Sequence, residues 1–313
     1  MPAVSTVGLR RLLGQRGLTP ATWIPEASEG RAEEATIRPA RLVEGEVVAA
    51  HPVGAAEPWP DPVAFLDGIQ RYQIVGYLDA APLVVARVAA AVRERSGPGC
   101  RPRLAVALER RLAIGRPEVL DRVADLFDGT QLIPLDDKVA GHPVREVQAA
   151  RKVVDRERGA LELEVGRQFR AKSDAWLVID GALSEGIDWV SDPRMIGVVK
   201  SHSTLPFGGA DQVTYLRTPY AHRSSVFAPA TRSLAPVHSW ALRLWPWEGE
   251  DLFHGLVRIE TRAGDDTLSR VDQLSRWLLA ERAPVSTPDP RWDRLLYGIH
   301  DVEVYLRARM GTR

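Results

Sequence analysis

The chain has 313 residues, 45% hydrophobic and 26% charged, which supports a substantial core and argues against global disorder. Lysine plus arginine and aspartate plus glutamate balance at 41 each, which argues against a protein that coats nucleic acid non-specifically but allows a local basic groove. The single cysteine, Cys100, excludes an intramolecular disulfide and a cysteine-rich zinc site.

The N-terminus lacks a basic segment followed by an apolar core, so no targeting peptide is expected. No apolar run reaches the roughly 18 residues a membrane span needs. A soluble, cytoplasmic protein is the expectation. In chain order, residues 7–16 predict a short basic amphipathic helix and residues 36–50 a strand pair. Residues 51–62, rich in Pro, Ala and Gly, read as a connector. Residues 1–60 therefore form an N-terminal extension (a lid, a small β extension or a dimerisation arm), and residues 61–313 form the main domain.

The main domain opens with a meander. Strands are predicted over 62–67, 70–79 and 83–92, with a break at Gly68, although the alanines of the third also suit a helix. A further strand is expected at 104–109, inside the most basic local stretch, then a helix at 118–127 and a strand at 131–135. Residues 144–172 predict a long helix, since Val147, Val154, Leu161, Val165 and Phe169 form one apolar stripe behind a helix-starting Pro143. Strands follow at Leu177-Val178-Ile179-Asp180 and at 194–200, with short strands expected at 213–216 and 224–228. A hairpin is predicted from 237–245 and 253–261, then helices at 268–280 and 292–309.

Two strands run into an aspartate and a glycine, at Asp67-Gly68 and Asp180-Gly181. Read singly, either pair is a core strand followed by a turn. Together, with a long amphipathic helix carrying glutamates between them, they give the order of a ribonuclease-H-like sheet that gathers carboxylates around divalent metals. Mn²⁺ and Mg²⁺ take hard oxygen ligands, and a metal pair of this kind serves phosphodiester hydrolysis by an activated water. On the helical wheel Glu162 lies about 60° from the centre of the apolar stripe and Glu164 about 100° away on the other side. Glu162 is the better candidate ligand, with Glu164 in reserve. Asp79, Glu109, Glu185 and Asp188 are further acids that read first as turn or surface charges, and His202 as a loop histidine near a candidate phosphate site. The tryptophan-rich segment 240–253 offers aromatic area suited to a homodimer or partner interface.

The chain resembles the NurA nuclease family. The resemblance lies in Phe65-Leu66-Asp67-Gly68-Ile69, Leu177 to Leu183, Gly197-Val198-Val199-Lys200-Ser201, Trp240-Ala241-Leu242-Arg243-Leu244, Val257-Arg258-Ile259-Glu260 and Leu295 to Asp301, in the family's order. It implies an α/β ribonuclease-H/PIWI-like fold, a mixed sheet flanked by helices, with Mn²⁺-dependent (alternatively Mg²⁺-dependent) DNA nuclease activity. It also implies a homodimer and partnership with a hexameric HerA-type DNA-translocating ATPase. Asp67, Asp180, Glu162 and His300 match the family's metal-site residues, and Lys200 a lysine after the second acidic strand. Trp292 stands where the family often carries a tyrosine. No Gly-x-x-x-x-Gly-Lys-[Ser/Thr] loop is present, so ATP chemistry would belong to the partner. A catalytically silent adaptor binding the ATPase and DNA is the alternative, and an RNA-directed nuclease on the same fold a third reading.

Overall fold

The structure is a computed structural model that describes residues 6–20, 35–60, 62–136, 138, 141–183, 187–190, 192–230, 236–248, 250, 252–282 and 292–311. The N-terminal segment supplies helix α1 (Thr6–Gln15) and short strands β1 (Thr19–Pro20), β2 (Thr36–Ile37), β3 (Arg41–Leu42) and β4 (Ala50–Pro52). Three long strands follow, β5 (Val63–Leu78), β6 (Ala81–Arg95) and β7 (Arg103–Gly115). Helix α2 (Pro117–Asp121) and strand β8 (Gln131–Pro134) lead into the long helix α3 (Pro143–Arg170). Next come β9 (Trp176–Asp180), α4 (Ile187–Val190), β10 (Met195–Val199), β11 (Thr204–Leu205), α5 (Gly209–Leu216), β12 (His222–Ser224) and β13 (Phe227–Ala228). The chain closes with the hairpin β14 (Val237–Arg243) and β15 (Leu256–Arg262), then helices α6 (Thr267–Ala280) and α7 (Tyr297–Met310).

These elements build a mixed α/β architecture, a large mixed sheet flanked by helices. Its main path runs β3-β13-β14-β15-β10-β9-β5-β6-β7-β8. Strands β5, β6 and β7 are antiparallel neighbours, β9 runs parallel to β5, β10 parallel to β9, and β15 antiparallel to β10.

Alternation along each strand sends side chains to two different cores. Phe65, Val178 and Val198 face one way, onto Val271 and Leu278 of α6 and Ile299, Val302 and Leu306 of α7. Leu66, Leu177 and Ile179 face the other way, onto Leu161, Val165 and Phe169 of α3. With both faces covered, β9 and the first part of β5 are apolar throughout, as buried parallel strands are. Burying each large apolar side chain is worth about 1.5–3 kcal/mol, so the two cores fix the register of every element that carries a site residue. Trp59, at 0% exposure, packs against Trp176 and Trp277 with ring centroids 5.9 and 5.0 Å away, and so anchors the connector at the start of β5.

Several expectations are corrected. The chain does not break at Gly68: β5 continues unbroken to Leu78, and the turn falls at Asp79, whose φ is +52°. The composition changes at Asp67 because the buried part of the strand ends there, not the strand itself. The strand expected at 83–92 is present within β6, while the one expected at 104–109 extends to Gly115. Residues 36–50 hold no mutual strand pair, since β2 pairs with β11, β3 with β13 and β4 with β12. Residues 213–216 belong to helix α5, as a four-residue stretch, Val-Thr-Tyr-Leu, carries no decisive periodicity. The helix expected at 118–127 stops at Asp121 and gives way to a 3₁₀ turn at Ala124–Leu126. That expected at 292–309 divides into a 3₁₀ turn, Trp292–Arg294, and α7. No helix among the described residues is long and apolar enough to cross a membrane.

Candidate metal centre

The same alternation gathers the site. Asp67 is two residues beyond Phe65, Asp180 two beyond Val178 and Lys200 two beyond Val198, so all three leave the sheet on the α7 face. The parallel ladder between β5 and β9 closes with Leu66 opposite Ile179, so Asp67 and Asp180 stand side by side one step further on. Asp180 is opposite Val198 of β10, which places Lys200 just past the end of that strand. Its Nζ donates to Asp180 Oδ2 at 2.9 Å.

The third carboxylate comes from α7. Glu303 lies on the apolar stripe of that helix, between Ile299, Val302 and Leu306, and is only 4% exposed. Gly298 lets α7 approach β5 closely, since a Cβ there would run into the Phe65 ring. The far end of the helix is held by Arg87, whose Nη1 donates to the Met310 carbonyl at 2.9 Å, and by Arg71, which donates to that of Gly311. Carboxylate oxygens of Asp67, Asp180 and Glu303 all lie within 4.8 Å of one another. Asp67, 5% exposed, keeps one fixed donor, the Gly68 N–H at 2.7 Å from Oδ1. Glu303 also pairs with Arg307 at 3.2 Å, one turn on.

Burial raises the Asp67 carboxyl well above its usual range, and the charges of Asp180, Glu303 and Glu162 raise it further against the opposing pull of Lys200. Lys200 on Asp180 and Arg307 on Glu303 set two cations against three converging acids, which leaves a net negative charge in a desolvated place. That set of hard oxygen donors could hold a metal ion.

Glu162 stands beside this cluster, on the α3 face. Its side chain leans over Gly68, where a Cβ would lie 2.9 Å from Glu162 Cδ, and its carboxylate pairs with Arg158. Gly68 thus serves close approach between strand and helix, not a turn. Glu164 points away from the centre and pairs with Arg110 of β7 at 2.5 Å. His300 lies one turn before Glu303 on α7, and its ring nitrogens are not among the converging ligand atoms. Burial pushes His202 down to about 4, and its neutral ring donates from Nε2 to the Leu256 carbonyl at 2.9 Å, so it offers phosphate no charge. Glu109 pairs with Arg87 at 2.7 Å, and Asp79 sits in the hairpin turn. Glu185 and the Asp188 side chain lie outside the described residues. Trp292 packs edge-on against Trp245 and His254. Trp240 is a core residue whose indole N–H donates to Ser275, while Trp245 and Trp247 are covered by the guanidinium groups of Arg282 and of Arg217 and Arg243.

Sequence reasoning passed over Glu303. Its signal was present, however: an acid four residues after Ile299 and three before Leu306, inside an apolar stripe where a solvated charge does not belong.

No protein-family model matches the sequence, and no curated protein matches it.

Proposed function

We propose that this chain is a divalent-metal-dependent DNA nuclease built on a ribonuclease-H-like core, of the NurA kind its motifs resemble. One observation carries the reading: Asp67, Asp180 and Glu303, from two adjacent parallel strands and the last helix, bring their carboxylates within 4.8 Å of one another. The architecture supports it, with an antiparallel meander β5–β6–β7, a long helix and then a parallel strand β9 beside β5, these two strands each delivering an acid at the same level. A silent adaptor would gain nothing from three like charges held together, since such a cluster lowers the stability of the fold unless a cation neutralises it.

In this reading Asp67, Asp180 and Glu303 hold the ion, and Glu162 stands next to them. When bound, a divalent ion supplies Lewis-acid activation of water and charge neutralisation at the phosphodiester. Lys200 donates to Asp180 and places an ammonium where a phosphate oxygen arrives. The buried position of Asp67 limits water around the cluster and strengthens each electrostatic contact made there. The resemblance also implies a homodimer that receives DNA from a HerA-type ring ATPase, to which any ATP chemistry would belong, since the chain carries no Gly-x-x-x-x-Gly-Lys-[Ser/Thr] loop.

The test is cleavage of linear duplex DNA, circular DNA and RNA by the purified protein with and without Mn²⁺. Cleavage of DNA should require the metal, and Asp67→Asn, Asp180→Asn and Glu303→Gln should each lower it by about 100-fold or more. Metal-independent activity, or full activity in these variants, would overturn the assignment. Cleavage of RNA alone would move it to the RNA-directed reading.

A further inference from the structure

One polar stripe of α3 follows β5 away from the metal centre. Arg151, Asp155, Arg158 and Glu162 recur at spacings of four, three and four, which places them on one helical face. They meet the β5 residues that point towards α3. Arg151 lies over the Tyr72 ring at 5.6 Å. Gln70 is held from both sides, its Nε2 donating to Asp155 Oδ1 at 2.6 Å and its Oε1 accepting from Arg158 Nε at 3.2 Å. Glu162 reaches over Gly68, next to Asp67. Arg158 is thus fixed at one edge by Gln70 and grips Glu162 with its Nη1.

This arrangement places a fourth carboxylate at the edge of the centre with a cation already on it. Glu162 does not belong to the group of acids whose oxygens converge. A glycine at position 68 is nevertheless what lets its carboxylate lie so close to Asp67, and its charge acts on Asp67. A guanidinium bound along its edge is a firm partner, and a divalent ion in the centre pulls on the same carboxylate.

We propose that Arg158 is a positioning residue that competes with a bound divalent ion for the Glu162 carboxylate, and so sets how tightly the centre holds its ion. The inference rests on the reading of Asp67, Asp180 and Glu303 as a metal centre. Arg158 touches neither substrate nor metal in it. Its effect passes through Glu162, which stays on the arginine in the wild type and turns to the ion when the arginine is removed.

The test is Mn²⁺ binding to the full-length protein by calorimetry, without nucleic acid, in a double-mutant cycle. Arg158→Gln should tighten Mn²⁺ binding by roughly threefold to tenfold, as expected for removing one competing charge in a partly buried setting. Arg158→Lys should bind like the wild type. Glu162→Gln alone should change the affinity by less than about twofold, and Arg158→Gln with Glu162→Gln should return it to the Glu162→Gln value. Unchanged or weaker binding in Arg158→Gln, or tightening that survives in the double variant, would overturn the proposal. So would a large loss in Glu162→Gln, which would mean that Glu162 is a ligand despite Arg158. The last result does not depend on the folding of the Arg158 variant. A wild type that binds no Mn²⁺, or binding unaffected by Asp180→Asn and Glu303→Gln, would instead mark the failure of the metal centre itself, and the proposal would fall with it.

Discussion

Asp67 carries the largest electrostatic burden of any residue in the centre. It is buried, it faces Asp180 and Glu303, and its carboxyl is held well above the usual range. The stability consequence follows from linkage. A folded-state value above the unfolded one means that the native metal-free protein binds the proton more tightly. Asp67 therefore favours folding as pH falls below its raised value and opposes folding as pH rises through it. Replacing it with asparagine keeps the acceptor for the Gly68 N–H and removes the charge. Asp67→Asn should stabilise the metal-free protein at neutral pH by about 1 kcal/mol or more, measured by denaturant unfolding, while abolishing Mn²⁺ binding. Destabilisation by this substitution would mean that the charge is already compensated within the protein. Protons and metal compete for the same oxygens, so Mn²⁺ affinity in the wild type should fall as pH drops through the raised value.

Also at this scale lies the part of the site that was legible in the sequence. Asp67 and Asp180 stand out because each ends an apolar run. Glu162 was separated from Glu164 by helical angle, and the structure puts Glu162 over Gly68 and Glu164 on Arg110. Glu303 is hidden in the sequence because a glutamate on a helix is ordinarily a surface charge. Its partners Asp67 and Asp180 are far away in sequence, and only the docking of α7 on β5 brings them together.

At the scale of elements, two glycines control the centre, and they should respond differently. At Gly298 an added Cβ meets the ring of Phe65, a buried side chain with 0% exposure packed between sheet and helix. Neither can yield, so Gly298→Ala should lift α7 from β5, cost about 1–3 kcal/mol and weaken Mn²⁺ binding by displacing Glu303. At Gly68 the added Cβ meets the end of the Glu162 side chain, which can rotate away. Gly68→Ala should therefore cost little stability and change activity and metal affinity through Glu162. Thermal unfolding and calorimetry on the two variants check this, and equal losses of stability would contradict it.

The elements themselves were legible wherever a long period governed them. The stripe of α3 gave that helix nearly to its ends, and the alternation of 237–245 and 253–261 gave the hairpin β14–β15. The errors fell where a short signal had two meanings. Asp67-Gly68 read as a turn because Asp-Gly is a turn dipeptide, but here the glycine clears space for Glu162 and the strand runs on. Residues 213–216 read as strand because Val-Thr-Tyr-Leu, rich in β-branched and aromatic residues, is too short to show its period, and Gly208 and Gly209 open a helix there.

For the molecule as a whole, the equal numbers of acidic and basic residues place any affinity for DNA in local geometry and not in overall charge. Many arginines on the β5–β7 and α3 surface are engaged in ion pairs, Arg87 with Glu109 and Arg110 with Glu157 and Glu164 among them. The pairing of β3 and β4 with β13 and β12 ties the N-terminal segment to the main sheet, and β2 forms a separate two-stranded sheet with β11, each across more than a hundred residues of chain, an organisation no local pattern reveals. The three carboxylates have the same character: residues 67, 180 and 303 meet only because the sheet places two parallel strands side by side and α7 folds back over them.

The most direct test of this account is a crystal structure grown with Mn²⁺ and measured for its anomalous scattering. The account predicts an anomalous peak between the carboxylates of Asp67, Asp180 and Glu303, lost in Glu303→Gln crystals grown in the same way. A fully hydrated, empty space between those three residues at saturating Mn²⁺, or a peak that survives the substitution at another place, would contradict it.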